Sequence, residues 1–307
     1  MINDRGAIVV TGASSGLGAA TALHLAEAGF TVYAGVRSAD GADRVAALSP
    51  SIRPLTLDVT SAGSVRAAGD LVREQTAGAG LHGLVNNAGI CVSAPLECVP
   101  LDDLRAELEV NLIGAVAVTQ EFLPLLRSRP ATAPTAAPAG RIVNISSGIG
   151  RVAAPFLGAY AASQFAKEGV SDALRRELPP GSVSVSVVEP GAIMTPIWSK
   201  MSAAARRVLD DSAEEVAAEY RAGFEDFVAR NEERARRSRT RPVAVARAIG
   251  HAMTARRPRT RYRVGADSWT AALAARLLPD RVLDSMIRRQ LAGGAAPARR
   301  RDSEVAR

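Results

Sequence analysis

The apolar run Ala7-Ile8-Val9-Val10-Thr11 leads straight into Gly12-Ala13-Ser14-Ser15-Gly16-Leu17-Gly18, and beyond it the pattern turns helical. A strand, a glycine turn and a helix in that order leave few folds open. The glycines let the backbone turn sharply and approach a bound group closely. The first turn of the helix offers unpaired N–H donors and the positive end of its dipole, a fit for a pyrophosphate. The alternation then continues. Short β-rich runs fall at Ala7–Thr11, Thr31–Val36, Arg53–Leu57, Gly83–Asn86, Arg141–Ile145 and Ser182–Val188, with Arg261–Val264 a seventh. Helical stretches such as Gly16–Ala28, Ser61–Thr76, Leu101–Leu126 and Ala159–Leu178 lie between them. Uninterrupted β-branched runs predict strands covered on both faces, hence an α/β fold built on a parallel sheet.

With 307 residues, 47% of them hydrophobic, the chain can bury a full core. We expect one domain over 1–292, with a lid over about 193–240 whose apolar positions Val208, Val216, Tyr220, Phe224, Phe227 and Val228 recur at helical spacing. Arg129–Ala139, with three prolines, reads as a surface loop, and the basic stretch 293–307 as a disordered tail.

Further along, Asp58-Val59 follows the third strand and Asn86-Asn87-Ala88-Gly89 ends the fourth; Asn111 lies on a helix. Asn144-Ile145-Ser146-Ser147 ends the fifth strand, with Ser147 thirteen residues before Tyr160, and Glu189-Pro190-Gly191-Ala192-Ile193-Met194-Thr195 ends the sixth. In this order, and with Gly-x3-Gly-x-Gly after the first strand, the motifs resemble the short-chain dehydrogenase/reductase family over roughly Ala7 to Val264. The late segments Arg259–Gly265 and Leu277–Arg281 resemble its 17β-hydroxysteroid and retinol dehydrogenase branch. The resemblance implies a Rossmann-type, doubly wound parallel sheet of about seven strands with helices on both faces. It also implies a nicotinamide dinucleotide held by Gly12, Ser14, Ser15, Gly16, Leu17, Gly18, Asp58, Val59, Asn87, Ala88, Gly89, Tyr160, Gln164, Pro190, Gly191, Ile193 and Thr195. In the family a tyrosine exchanges a proton with the substrate oxygen, a serine hydrogen-bonds that oxygen and an asparagine holds a water. Tyr160, Ser147 and Asn111 stand in those places. No metal is implied.

The fourth catalytic position departs from the family. Tyr160-Ala161-Ala162-Ser163-Gln164 matches Tyr-x-x-x-Lys with its last letter changed. Residues four apart share a helix face, so Gln164 faces the site with hydrogen bonds to offer but no charge. Without that charge the phenol keeps a pKa of about 10, which favours the neutral acid and hence reduction of a ketone. Lys167, two turns past Tyr160, either reaches back towards the site or lies in solvent, alone or paired with Glu168 or Asp172; the solvated reading is the ordinary one.

The second strand ends Gly35-Val36-Arg37-Ser38 with no acid to hold a ribose hydroxyl. Arg37 can instead fork onto a 2′-phosphate, so NADP(H) is the expected cofactor. The substrate side, with Ser147, Tyr160, Phe156, Met194 and Trp198, suggests a bulky hydrophobic or polycyclic ketone. Three functions stay open: an NADP(H)-dependent oxidoreductase, a non-redox enzyme (cyclisation, dehydration or epimerisation) with bound cofactor, and an NADP(H)-binding regulator without turnover. Between Arg234 and Arg263 lie eleven arginines and no acid, a solvated or subunit-facing surface or, as the sharper alternative, a dock for an acidic partner. No nucleic-acid motif accompanies the net charge of +7. Family relatives pair through helices matching Leu101–Leu126 and Ala159–Leu178, so a homo-oligomer is expected. Two cysteines, Cys91 and Cys98, no leader before Gly6 and no apolar run approaching bilayer length read together as a soluble cytoplasmic chain.

Overall fold

The computed structural model describes residues 5–128, 139–197, 201 and 207–292. The proline-rich loop, Trp198, Lys200 and the basic tail fall outside these residues, except for Ala139. Seven parallel strands form one sheet: β1 (Ala7–Val10), β2 (Thr31–Val36), β3 (Ile52–Thr56), β4 (Gly83–Asn86), β5 (Gly140–Ile145), β6 (Val183–Pro190) and β7 (Arg261–Val264). Their order is β3-β2-β1-β4-β5-β6-β7. The order reverses beside β1, between β1 and β4, and at that switch point the loops at the carboxyl ends part to leave a crevice.

The interior strands β1, β2, β4, β5 and β6 are buried on both sides because helices flank both faces, while the edge strands β3 and β7 are partly open. Along β1, Ile8 and Val10 join one core while Ala7 and Val9 join the other, the period-two alternation of a strand inside two apolar layers. The first layer packs the sheet on α1 (Gly16–Glu27) and, late in the chain, α8 (Pro242–Thr254). Between these helices in sequence come α2 (Ala39–Ala46), α3 (Ala62–Gln75), α4 (Leu101–Leu108), α5 (Gly114–Ser128), α6 (Gly158–Glu177) and α7 (Glu214–Arg237). The second layer seats α3 through Val65 and Val72, and α5 through Val118, Phe122 and Leu126. Two helices, α9 (Ala266–Leu277) and α10 (Asp280–Ala292), complete the described chain.

Two expectations need correction here. The single helix read over Leu101–Leu126 is two, α4 and α5, joined by a π-helical turn over Glu109–Ile113. Apolar content runs unbroken through the junction, so the wider turn leaves no mark in the composition. The whole stretch Leu101–Ser128, 28 residues, also has the length and composition of a membrane-crossing helix, contrary to the expectation that no such run exists. One such helix is weak evidence, and α5 is docked on the sheet.

The basic stretch Arg234–Arg263 is also not one patch. Arg261 and Arg263 turn onto Glu189, which is fully buried at the end of β6. Arg261 also meets Glu168 at 3.0 Å and Asp172 at 2.9 Å, while Arg151 bridges Glu168 at 2.7 Å and Glu189 at 3.0 Å. A third apolar cluster joins Phe224 and Phe227 of α7 to Leu157, Met201, Val208 and Leu209, and seats α7 on the body.

Candidate active site

A cleft of about 1330 Å3 opens at the switch point. Its floor is the β1–α1 turn. A methyl group placed on Gly12 would sit 2.8 Å from the Ala88 Cα, and one on Gly18 would collide with the Gly12 carbonyl and the Asn87 amide. Gly12 (φ +63°) and Gly16 (φ +57°) hold left-handed backbone, which a side chain would strain. Thr11 locks the neighbouring strand end: its Oγ1 accepts from the Asn87 and Ala88 N–H groups at 3.0 and 2.9 Å, and Asn87 Nδ2 donates to the Thr11 carbonyl at 2.9 Å.

Ser14, Ser15, Gly16, Leu17 and Gly18 line this floor, and Arg37, Asp58, Val59, Asn87, Ala88 and Gly89 continue the wall. Arg37 is exposed at the rim, near enough to Asp58 for the two charges to interact. The Asp58 carboxyl lies below its ordinary value, first through the Thr60 N–H and hydroxyl it accepts, and further through Arg37. On the far side stand Ser147, Tyr160, Gln164, Pro190, Gly191, Ile193 and Thr195.

Fifty-two residues apart in sequence, Asn111 and Ser163 meet at 3.0 Å. Asn111 does not line the cleft; it staples it. Its Oδ1 accepts from the Ile90 N–H at 2.8 Å, and its Nδ2 donates to the Ile90 carbonyl at 2.9 Å. Ser147 lies within hydrogen-bonding reach of the Tyr160 phenol. Burial pushes that phenol far above its usual pKa, Cys91 and Glu107 add to the rise, and only the Ser147 bond opposes it. Gln164 is 2% exposed; its Nε2 donates to Ser163 Oγ at 3.1 Å and its Oε1 has no partner among the described residues. That orphaned acceptor on the cleft wall fits a hydroxyl of a bound group. With the glycine floor, it makes the cleft fit a dinucleotide.

Of the substrate-side candidates, only Ser147 and Tyr160 reach the cleft. Phe156 packs its ring on Phe224 and Phe227, each with centroids 5.2 Å away, and Met194 is 51% exposed outside the lining. Trp198 is outside the described residues.

Three residues of this region were not singled out as site residues in the sequence. Glu107 is fully buried on α4; its Oε2 accepts from the Val92 N–H at 3.1 Å and its Oε1 from Asn111 at 3.3 Å. Asp267, opening α9, accepts the Ala192 N–H at 2.6 Å and lines the cleft. Cys91, one loop away, also lines it. The available signal was Glu107 four residues before Asn111, one turn apart on the same face. Lys167 departs from the solvated reading: it is 3% exposed, its Nζ donates to the Ile145 carbonyl at 3.1 Å, and it shares the cleft wall with Tyr160 and Gln164. Glu168 and Asp172 are already taken by arginines. Among the cationic stretch, Arg234, Arg237 and Arg239 also line the cleft rather than facing away from it.

The family model described as short chain dehydrogenase matches residues 6–206. The chain is 41% identical over 264 residues to the 3-amino-tetrahydro-pyrrolizinone reductase of Xenorhabdus hominickii, covering 86% of this chain and 88% of the relative. It is 35% identical over 286 residues to retinol dehydrogenase 5 of Mus musculus (91% and 87% covered). It is 37% identical over 268 residues to the mouse D-beta-hydroxybutyrate dehydrogenase, mitochondrial (83% and 76% covered). Among solved structures, a Burkholderia cenocepacia short chain dehydrogenase in complex with NADP aligns with TM-score 0.68 at 26% identity, covering 94% of this chain and 99% of that one. One from Burkholderia phymatum in complex with NAD aligns with TM-score 0.71 at 22% identity (94% and 96% covered) and speaks for the fold alone. The chain therefore belongs to the short-chain dehydrogenase/reductase family, in its retinol dehydrogenase-like branch, among oxidoreductases of small molecules. The cytoplasmic assignment does not stand: a relative at 37% identity is named mitochondrial, and an apolar helix of spanning length is present.

Proposed function

We propose that the chain is an NADP(H)-dependent reductase of a carbonyl group on a bulky hydrophobic or polycyclic substrate. One observation carries this reading: the Tyr160 phenol stands beside Ser147 in the cleft, with burial holding its proton and no cation at position 164 to release it. A phenol held neutral is a donor, which suits reduction.

When bound, the dinucleotide supplies a hydride to the carbonyl carbon. Tyr160 gives its Oη proton to the carbonyl oxygen as the C=O π pair moves onto that oxygen. The Ser147 hydroxyl donates a hydrogen bond to the same oxygen and holds it against the phenol. The tyrosinate left behind recovers its proton from water. Arg37 at the rim, with no acid at the end of β2, supports the phosphorylated dinucleotide. The lid side of the cleft, with Leu157, Met201, Ile193 and Phe227, supports an apolar substrate.

The test is to follow NADPH absorbance with a panel of bulky ketones. Consumption matched by alcohol formation supports the reading. Substrate conversion without NADPH consumption selects the non-redox enzyme, and tight NADPH binding without any conversion selects the regulator.

A further inference from the structure

We propose that Lys167 supplies the cation of the cofactor site in place of a lysine at 164: its buried ammonium stands on the cleft wall that Tyr160 and Gln164 share, where it would hold the ribose of the dinucleotide. The proposal rests on the reductase reading and adds a residue that the Tyr-x-x-x-Lys pattern does not contain.

The division of labour follows from the atoms. Position 164 presents an unpartnered amide oxygen, an acceptor without charge. Lys167, three residues on along α6, lines the same wall and presents three N–H donors. One donor goes to the Ile145 carbonyl, two residues before Ser147. Among the described residues no other hydrogen bond is made by the ammonium, so two donors are left for a hydroxyl-bearing ligand in the cleft. An acceptor from 164 and donors from 167 together serve a ribose diol, which both gives and accepts hydrogen bonds.

Burying an ammonium costs several kcal/mol unless an opposite charge offsets it. Glu107 reaches in from α4, held by the Val92 N–H and by Asn111, and its field acts on both Lys167 and Tyr160. The neighbours that face this pair are few. Cys91 comes from the loop before α4, and Tyr160 from the first turn of α6. Arg151 and Arg261 are engaged by Glu168 and Glu189. Burial pulls Lys167 down to about 8 against the pull of Glu107, and pushes Glu107 up to about 8 against its two hydrogen bonds and Lys167. Below about 8 Lys167 is therefore charged while Glu107 holds its proton, and both groups lose protons as the pH rises through that value, where a solvated lysine would not.

The chain has two lysines, Lys167 and Lys200, so 13Cε-lysine labelling gives two resonances, assigned with Lys200→Arg. The Lys167 resonance is expected to titrate near 8, to move on adding NADPH, and to titrate lower still in Glu107→Gln. Both resonances titrating at an ordinary lysine value of about 10.4 and ignoring NADPH would overturn the proposal. In a binding titration, Lys167→Met is expected to weaken NADPH affinity about 10-fold or more, and Gln164→Lys/Lys167→Met to recover most of the loss. A lysine that merely props the helix would not be rescued from position 164, so a folded double variant with no recovery overturns it as well. Should Lys167→Met fail to fold, the resonance experiment decides. That experiment needs no ketone, so it stands apart from any failure of the reductase reading.

Discussion

The Asp267 carboxylate receives the Ala192 N–H at 2.6 Å across 75 residues of chain, clamping the loop after β6 onto the start of α9. Gly191 is the residue that permits it: any side chain there would run into the same carboxylate. A hydrogen bond to a charged group contributes about 1.5–3 kcal/mol. Asp267→Ala should therefore weaken dinucleotide binding by roughly tenfold or more and lower the melting temperature by a few degrees. Fluorescence titration with NADPH reads the first effect; unchanged affinity would separate this loop from the cofactor.

Arg37→Asp should reverse the dinucleotide preference. The guanidinium stands at the rim beside Asp58, and an acid there repels a 2′-phosphate while accepting a ribose hydroxyl. The preference for NADPH over NADH, read as the ratio of their affinities, should fall by about 100-fold, the order expected when a forked, charge-assisted pair of hydrogen bonds to phosphate is removed. A ratio that does not move ends the NADP(H) assignment.

The pH profile should be asymmetric between directions. Because the Tyr160 pKa is raised, the phenol keeps its proton to higher pH than a free phenol would. Reduction should show no loss attributable to that phenol up to about pH 10, while alcohol oxidation should be slow at neutral pH and climb with alkali. Initial rates in both directions over that range check the sign. Tyr160→Phe should lower reduction by ~100-fold or more while leaving NADPH bound.

Arg261 holds three carboxylates, of which Glu189 is fully buried. Replacing it with Met takes one of three arginines from that charge and one of two from Glu168, a change expected to cost about 1–3 kcal/mol. Urea unfolding should show the midpoint falling. A midpoint within error of the parent would mean that Arg151 and Arg263 suffice for Glu189.

Much of the fold could be read in the sequence because it rests on short-range pattern. β2, β4 and β7 fall at their expected residues, and the other strands within two residues of them, since apolar runs bounded by turns report burial directly. The glycine turn was equally legible, its spacing being a backbone requirement. What stayed hidden depends on partners distant in the chain. Lys167 looks like any helix lysine until Glu107 arrives from α4, and Asp267 looks like a helix-opening acid until Gly191 lies under it. The π-helical turn was hidden for another reason: a one-residue widening shifts the side-chain phase without disturbing the apolar content.

Phe156 carries a left-handed backbone, φ +63°, rare for a bulky side chain, and its carbonyl is gripped by the Ala94 N–H at 3.0 Å and the Ser93 hydroxyl at 3.1 Å. Its ring meanwhile packs on Phe224 and Phe227 of α7, and Tyr160 follows four residues later in the first turn of α6. A substitution at Phe156 therefore disturbs at once the seat of α7 and the approach to the turn that carries the phenol.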